Sequence, residues 1–376
     1  GKMYNDRVYY KKKMLEAKRK YNKTKEPELV KEISRCHNIQ WAKKIALNSA
    51  YGAIGNQYFR YYDVRQAMAI TLAGQFVIRF IEKNVNEYMN KILKTHDKID
   101  YIVASDTDSI YLTMDKLVEQ VCKDKTKEQT LKFLNKVVES RIEPFLDKCF
   151  KQLAEYTNAF DNKMVMKREV IADKGIWTAK KRYMLNVLDE EGITFDEPKL
   201  KIMGIEAVKS STPEYCRGKI KESIKIIMSK QESDLHKFVK ETKEEFLNLP
   251  AEAVSFPRSC NNMKKYYSSS SVFIKGTPIH VKGALIYNNQ IKEFGLDKKY
   301  PMIQEGDKIK FVKLLEANPF KFDVISYVSE LPKEFKLKNY IDYELQFEKT
   351  FLDPIRFILQ PIGWSPEPKA SLEAFF

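Results

Sequence analysis

The sequence predicts an α+β protein, with helices towards both ends of the chain and short strands between them. Apolar residues recur at helical spacing near the start and again beyond residue 207, whereas short apolar runs bounded by turn residues lie in the middle. The chain has 376 residues, of which 43% are hydrophobic and 12% aromatic. It is therefore long enough for two or three packed regions and too apolar to be disordered.

A helical hairpin is predicted at the start of the chain. Four residues share one face of its first helix: Tyr10, Met14, Ala17 and Tyr21. A polar turn over residues 22–28 contains Pro27, and a second helix is expected to run to about Tyr51, where Gly52 and Gly55 follow.

Cations and an aromatic residue lie at helical spacing on this hairpin. Arg7 and Lys11 are four residues apart, and the second helix carries Lys44, Asn48 and Tyr51 on one face. Cations brought together from two antiparallel helices would suit a triphosphate, although a solvated charged face is the alternative. Tyr51 beside a glycine offers a flat surface that a base pair can approach closely.

The region from residue 53 to about Glu206 is predicted to mix helices with short strands. Residues 67–81 are expected to form a buried helix, because this apolar stretch contains Arg79 and is shorter than the roughly 20 residues that cross a bilayer. Residues 177–195 indicate a hairpin across Glu190–Gly192. Beyond Ala207 further helices follow.

An acidic turn, ASDTDSIYL at residues 104–112, lies between two predicted strands. Side chains two apart on a strand face the same way, so Asp106 and Asp108 would converge on a hard cation such as Mg²⁺. That arrangement suits two-metal phosphoryl transfer. Because Asp, Thr and Ser are ordinary turn residues, a purely structural turn is the alternative.

A basic segment, TAKKRY at residues 178–183, is predicted to lie on a strand. Lys180 and Arg182 would face one way and Lys181 and Tyr183 the other, so one pair could follow a nucleic-acid backbone or minor groove. A solvated edge strand is the alternative.

The C-terminus is predicted to be a stiff linker followed by an apolar tail. The tail places Leu372, Phe375 and Phe376 on one side of a helical turn, which suits insertion into an apolar pocket of a partner. Docking of the tail on its own domain is the alternative.

Composition limits the partners and the compartment. A formal net charge of +15 favours a polyanion, because Lys and Arg displace the counterions condensed on a phosphate backbone; an anionic membrane surface is the alternative. The five cysteines form no C-x-x-C pair, which indicates a reducing compartment. The four histidines are scattered, so any metal is expected to have oxygen ligands.

Taken in order, these motifs resemble those of family B DNA polymerases, particularly the replicative enzymes of T-even-type bacteriophages. The resemblance runs through KIALNSAYGAIGN, SDTDSIY and TAKKRY, and it continues in FRYYDVRQAMAIT, EPKLKIMGIEAVKSSTP, FEKTF and KASL. It covers nearly the whole chain, and the ordered combination is far more specific than any single motif.

The resemblance implies helical fingers, a palm with an antiparallel sheet and a mainly helical thumb. The implied boundaries are 1–52 for the fingers, 53–206 for the second part of the palm, 207–359 for the thumb and 360–376 for a linker and clamp-binding tail. The implied partners are primer-template DNA, deoxynucleoside triphosphates and a sliding clamp, with no membrane. The implied location is the cytoplasm of an infected bacterium.

Residue roles in the fingers and palm follow from the same resemblance. The triphosphate ligands would be Arg7, Lys11 and Lys44, and the residues lining the nascent base pair would be Asn48 and Tyr51. Asp108 is similar to the carboxylate that bridges two Mg²⁺ ions, for which Mn²⁺ can substitute. Asp106 would contribute more weakly, and Glu169 would be an additional acid near the metals.

The primer strand would be held by Lys181 and Lys209. Three neighbouring residues would also contact DNA: Lys180, Arg182 and Tyr183. Two departures from the family pattern stand out. Ser105 replaces the glycine that usually precedes D-T-D, so a local adjustment of the hairpin is expected. The D-x-x-S-L-Y-P pattern that supplies the other catalytic aspartate does not occur in this sequence, and neither does the proofreading exonuclease.

These departures leave two interpretations: a piece of a longer chain, or the C-terminal subunit of a naturally split polymerase. We favour the split enzyme, with an N-terminal subunit that supplies the other aspartate and the exonuclease. The expected activity is DNA-directed DNA polymerisation; a non-catalytic DNA-binding or processivity subunit is the alternative. A reverse transcriptase is disfavoured, because the acidic turn reads D-T-D rather than Y-x-D-D.

Overall fold

The computed structural model describes residues 1–95 and 99–368, which form two compact units. The first unit comprises residues 1–172 and 187–199, and the second comprises residues 173–186 and those from Leu200 onwards. Both units combine helices with small sheets, so the predicted α+β class is confirmed.

The first unit begins with the predicted helical hairpin, formed by α1 (Lys2–Thr24) and α2 (Pro27–Ile54). The turn places Lys25 in the left-handed region, and the proline starts α2, where its missing N–H costs nothing. Met14 and Ala17 are each only 5% exposed, which confirms the apolar stripe. The helices are further joined by an ion pair of 3.1 Å between Asp6 and Lys43.

The third helix, α3 (Val64–Leu93), is longer than predicted and is buried only in its second half. Its buried stripe is Ile81, Val85, Met89 and Leu93, and its exposed stripe is Val64, Met68, Leu72 and Phe76. The expectation of a fully buried helix over residues 67–81 is therefore wrong. The apolar pattern there does not distinguish burial within this chain from an apolar surface.

The acidic turn joins β1 (Ile102–Asp106) and β2 (Ser109–Leu112), which pair antiparallel. They are followed by α4 (Asp115–Val121), α5 (Lys127–Val137), a π-helical turn (Val138–Ile142) and α6 (Glu143–Tyr156). The second half of α3 packs with α6 around one apolar core, which includes Tyr101, Leu146 and Phe150. Ile102, Ile110 and Leu112 of the acidic hairpin pack against this core, which fixes the position of the hairpin.

Three strands form one sheet in the order β3 (Val170–Ala179), β4 (Arg182–Glu190) and β5 (Ile193–Met203). Each strand has residues in both units. Two-residue turns connect them, so neighbouring strands run antiparallel. The predicted hairpin across Glu190–Gly192 is confirmed. TAKKRY is not one strand, however, because Lys180 and Lys181 form the first of these turns.

The second unit is mainly helical. Its elements in chain order are α7 (Glu214–Ser229), α8 (Glu232–Leu247), α9 (Ala251–Val254), β6 (Phe256–Ser259), α10 (Met263–Tyr266), β7 (Tyr267–Ser268), β8 (Val272–Phe273), α11 (Ile279–Glu293), β9 (Lys308–Lys313), β10 (Val324–Tyr327), α12 (Tyr343–Phe347) and α13 (Asp353–Leu359). A π-helical turn (Glu348–Leu352) joins α12 to α13. One apolar core of this unit lies between α11 and the antiparallel sheet β10-β9-β6. A second lies among α7, α8 and α13.

Two further findings bear on the partners and compartment expected from the sequence. Within residues 1–95 and 99–368, no helix combines the length and the apolar character that a membrane crossing requires. All five cysteines are buried and carry free thiols.

Candidate functional site

The acidic residues lie at the tip of the β1–β2 hairpin. Asp106 ends β1, and Asp108 lies in the turn rather than on a strand, so the predicted strand geometry holds for Asp106 alone. Thr107 has φ 59°, and the Asp108 N–H donates to the Asp106 carbonyl at 2.7 Å, which closes a tight three-residue γ-turn. The turn is compact and conformationally strained, as residues at functional sites often are.

The side chains at this tip differ in their surroundings. Asp108 is exposed, whereas Asp106 is half-buried and accepts a hydrogen bond of 2.9 Å from the Thr107 hydroxyl. The Ser109 hydroxyl donates to the Asp106 carbonyl at 3.1 Å and fixes the other side of the turn. The hairpin therefore holds one carboxylate in place and presents the other to solvent.

The donor set at the tip fits a hard divalent cation in part. Two carboxylates supply the oxygen ligands that Mg²⁺ prefers. Within the described part of the chain, no group of three His, Cys, Asp or Glu side chains could hold a metal ion. Glu169 is exposed just before β3, and its carbonyl accepts the Glu191 N–H at 2.7 Å, so its role near the metals stays a prediction. Further ligands would have to come from substrate or another polypeptide.

Ser105 causes no distortion of the hairpin at its own position. It pairs in register with Ile110, and its φ is not positive. The irregularity lies two residues earlier, between Ile102 and Ala104, where the pairing shifts and leaves Val103 half exposed. A side chain is thus accommodated at this position of the hairpin.

The three predicted triphosphate ligands occupy different environments on the helical hairpin. Arg7 is half-buried, and among the described residues its buried Nε has no hydrogen-bond partner. Lys11 forms an ion pair with Glu191, in the turn between β4 and β5. The Lys44 ammonium lies 5.2 Å from the centre of the Trp41 ring. Among the described residues, Arg7 forms no ion pair or ring contact of the kind that holds Lys11 and Lys44. Of the three cations it is therefore the one best placed to bind a new anion.

Tyr51 lies at the edge of a shallow apolar pocket between the end of α2 and the start of α3. The pocket measures about 300 Å³ and is lined by Tyr51, Gly55, Val64, Ala67, Met68, Thr71 and Leu72. The Thr71 hydroxyl donates to the Ala67 carbonyl at 3.0 Å, so at the 2.7 Å contact between the hydroxyls of Tyr51 and Thr71 the phenol is the donor. This bond fixes the orientation of a ring that is 43% exposed. Asn48 is exposed one turn earlier.

The basic residues of TAKKRY belong to the second unit and are separated by their local structure. Lys180 and Lys181 are exposed in the turn between β3 and β4, so the predicted alternation of side chains along a strand is wrong for them. The ring of Tyr183 is 7% exposed and packs against Trp177. Gly204 lies under this turn, where a Cβ would come within 2.2 Å of the Lys181 carbonyl.

Arg182 and Lys209 share one carboxylate. Arg182 Nη2 and Lys209 Nζ lie 2.6 and 3.0 Å from the two oxygens of Glu206, and the Arg182 guanidinium lies 4.5 Å from the centre of the Phe357 ring. Burial by itself would raise the pKa of Glu206, but the hydrogen bond from Lys209 and the charge of Arg182 bring it below its ordinary value. This cluster keeps both cations in fixed positions.

The Glu206 cluster predicts a pH-dependent contribution to stability. Because its pKa is lower in the folded chain, the stabilisation is complete above the ordinary value of 4.5 and is lost as the pH falls through the folded value. We expect Glu206→Gln to reduce the free energy of unfolding by about 1–2 kcal/mol at pH 7 and by less at pH 3. Urea titrations at both pH values measure this. Exposed Glu197→Gln is the matched control, and an equal loss at both pH values would contradict the prediction.

Sequence reasoning missed the acidic partners of these cations. Glu191, Glu206 and Asp189 each bind basic side chains from distant parts of the sequence. The only local signal was at Glu206, three residues before Lys209, a spacing at which helical side chains meet. The predicted clamp-binding residues Leu372, Phe375 and Phe376 lie outside the described residues.

Comparisons with known proteins confirm the resemblance. Residues 80–245 match the family described as divergent family B DNA polymerase. The chain is 37% identical over 363 residues to the DNA-directed DNA polymerase of Enterobacteria phage T4, and 38% identical over 349 residues to that of Escherichia phage RB69. These alignments cover 93% and 89% of this chain.

The chain spans only 40% and 38% of the length of these two phage proteins. It is also similar to DNA polymerase 1 of Aeropyrum pernix, with 24% identity over 295 residues, which is 73% of this chain and 23% of that protein. The similarity therefore extends to part of each relative.

Proposed function

We propose that this chain, which corresponds to part of a family B DNA polymerase, carries out template-directed DNA synthesis as one subunit of a larger enzyme. The observation that carries the proposal is the pair Asp106 and Asp108, presented at the tip of an antiparallel hairpin. This hairpin lies within residues 80–245, the segment that matches the polymerase family.

The proposed reaction is attack of a primer 3′-hydroxyl on the α-phosphorus of a deoxynucleoside triphosphate, with pyrophosphate leaving. Asp106 and Asp108 would hold Mg²⁺, or Mn²⁺ in its place. When bound, two such ions lower the pKa of the hydroxyl and neutralise charge on the leaving oxygens. The exposed Asp108 would face both ions, and the half-buried Asp106 would orient the turn.

The helical hairpin would act as the fingers that bind the nucleotide. Arg7, Lys11 and Lys44 would bind the triphosphate, and their positions on two packed helices support joint movement. Tyr51 would lie against the nascent base pair, since its ring is exposed and its hydroxyl is fixed by Thr71. Correct pairing and closure of the cations on the phosphates would then be one event.

Template and primer would be bound by the basic residues of the second unit. Lys180 and Lys181 are exposed and suited to phosphate contacts, whereas Lys209 and Arg182 would act from the Glu206 cluster. Buried Tyr183 would support the turn through packing. In domain terms, residues 1–52 would be the fingers, 53–206 the second part of the palm and 207–359 the thumb.

The proposed partner is an N-terminal polymerase and exonuclease subunit that supplies the other catalytic aspartate. Two features support it. The stripe of Val64, Met68, Leu72 and Phe76 leaves an apolar helix face uncovered in the described part of the chain. The β1–β2 sheet also has only two strands, so its edges could pair with a strand of another polypeptide. Enzyme and partner would act in the cytoplasm of an infected bacterium.

Reconstitution tests the proposal. The chain is co-expressed with the reading frame directly upstream, the complex is isolated, and extension of a primer-template is measured with Mg²⁺ and deoxynucleotides. We expect extension by the complex and little by the chain alone. A normal rate for the chain alone would refute the subunit arrangement, and no extension by an intact complex would refute polymerase activity.

A non-catalytic DNA-binding or processivity subunit is the second candidate. It is favoured by one observation, the lack of a three-ligand metal cluster among the described residues. Metal-dependent incorporation that is lost on substitution of Asp108 separates the two candidates, because a binding subunit would tolerate this change.

The C-terminal tail is proposed to bind a sliding clamp. Deletion of residues 371–376 should reduce processivity in the presence of the clamp and leave distributive synthesis without it unchanged, because the tail would add a second attachment to DNA. Product lengths under single-hit conditions measure this. Equal processivity of the deleted and intact chains with the clamp would contradict the assignment of Leu372, Phe375 and Phe376.

A further inference from the structure

The turn between β4 and β5 contacts the first helix of the hairpin at two points. The Lys11 ammonium forms an ion pair with the Glu191 carboxylate, and Arg19 Nη2 donates to the Glu191 carbonyl at 3.0 Å. Lys11 and Arg19 are eight residues apart, about two helical turns, and so lie on the same side of α1. A single residue of the turn therefore binds two cations of the helix, and all three residues belong to the first unit.

The backbone of this turn is unfavourable for the residue that occupies it. Glu191 has φ 54° and Gly192 has φ 78°, so both central residues are left-handed, as in a type I′ turn. Such turns favour Asn, Asp or Gly at the first central position, because glycine has no Cβ and the short Asn and Asp side chains can hydrogen-bond to the local backbone. A glutamate here reaches further from the turn than those residues would, and its carboxylate meets α1.

The turn between β4 and β5 is fixed by hydrogen bonds to the buried side chain of Asp189. Asp189, which is 1% exposed, forms an ion pair with Arg168 and accepts hydrogen bonds of 3.0 Å from the Gly192 N–H and the Thr194 hydroxyl. The Glu191 N–H also donates, at 2.7 Å, to the carbonyl of Glu169, just before β3. The backbone of the turn at Glu191 is thus fixed by hydrogen bonds that do not involve α1.

We propose that Glu191 is a positioning residue for the nucleotide site: it holds Lys11 as a counter-ion until the triphosphate displaces it. The inference rests on the proposed role of Lys11 as a triphosphate ligand. The side chains of Lys11 and Glu191 are 39% and 22% exposed, so water and phosphate can reach the pair. An ammonium on a flexible stem exchanges readily between two anions. Glu191 therefore keeps α1 beside the turn when no nucleotide is bound. Because its carboxylate competes with the triphosphate for Lys11, it also weakens nucleotide binding slightly.

The first test measures triphosphate binding at Lys11 without requiring catalysis. Acetylation of Lys11 is followed by peptide mass spectrometry in the full chain as inorganic tripolyphosphate is added. In Glu191→Gln, we expect the concentration that gives half-protection to fall roughly two- to fivefold, the range for loss of a part-exposed ion pair. Glu190→Gln is the matched control, because its neighbouring carboxylate pairs with Lys199 at 2.7 Å instead of with α1.

The outcomes of this test are distinct. Half-protection at an unchanged or higher concentration in Glu191→Gln would overturn the role of Glu191. Lack of protection in every variant would overturn the assignment of Lys11 and the inference with it. Circular dichroism and a urea titration show whether Glu191→Gln remains folded, so a lost fold cannot imitate either result.

The second test uses the reconstituted polymerase. Glu191→Gln should lower KM for the nucleotide by the same factor and change kcat little, because the competing anion acts only on binding. In a Lys11→Ala background the Glu191→Gln effect should vanish, which a merely structural role would not produce. A raised KM, or an equal effect in both backgrounds, would overturn the proposal. Lack of extension by the wild-type complex would instead refute the polymerase function, and the acetylation result would still decide the role of Glu191.

Discussion

Replacement of Asp108 by alanine in the assembled enzyme is expected to abolish primer extension while leaving primer-template binding largely intact. Asp108 is the exposed carboxylate at the tip of the β1–β2 hairpin, so its replacement is not expected to disturb the packed core. In its proposed role Asp108 would be a ligand of both metal ions, and its loss would remove several kcal/mol of transition-state stabilisation. That corresponds to a fall in rate of about a thousandfold or more.

Single-turnover extension and a gel-shift titration with primer-template measure the two effects separately. Asp124→Ala is the matched control, because Asp124 is an exposed aspartate in a turn of the same unit and has no proposed role. Extension by Asp108→Ala at more than about a tenth of the wild-type rate would rule out the bridging role. Loss of DNA binding together with extension would point to misfolding.

Asp189→Ala is expected to destabilise the first unit strongly. Asp189 is 1% exposed, and its removal leaves Arg168, the Gly192 N–H and the Thr194 hydroxyl without their acceptor. Breaking a buried ion pair by removing one partner costs about 3–5 kcal/mol, because the remaining charge stays buried without compensation. We therefore expect the free energy of unfolding to fall by this amount.

Urea unfolding followed by circular dichroism measures the loss, with Glu190→Gln as the control. Glu190 is the next residue on β4, but its ion pair with Lys199 is part-exposed, so its loss should cost less than about 1 kcal/mol. A similar small cost for Asp189→Ala would show that water or a rearranged side chain replaces the carboxylate. The buried network would then not be what sets the position of Glu191.

Local patterns were sufficient for much of the fold. The helical spacing of Met14 and Ala17 placed the first helix and its buried face correctly. A hairpin across Glu190–Gly192 was predicted between two strand-like runs, and Glu191 and Gly192 form its turn. These features depend on residues a few positions apart, whose interactions are the same in any larger context.

The predictions that failed depended on contacts that spacing does not encode. The apolar stretch at the start of α3 looked buried, but Met68 and Leu72 are exposed, because nothing in the described chain covers that face. Lys180 and Lys181 looked like strand residues, yet the chain turns there over Gly204, which is distant in sequence. Hydropathy and alternation indicate whether a residue favours burial or a strand, but they do not indicate which segment of the chain packs against it.

The sequence by itself determined the α+β class, the helical hairpin, the acidic turn and the relationship to family B DNA polymerases. Only the tertiary structure decided that Lys11 pairs with Glu191, that Glu206 holds Arg182 and Lys209, and that Asp108 is the more exposed of the two acids. The reason is physical. The Lys11–Glu191 and Arg182–Glu206 pairs join side chains that are 180 and 24 residues apart, and their approach is set by packing of the whole unit.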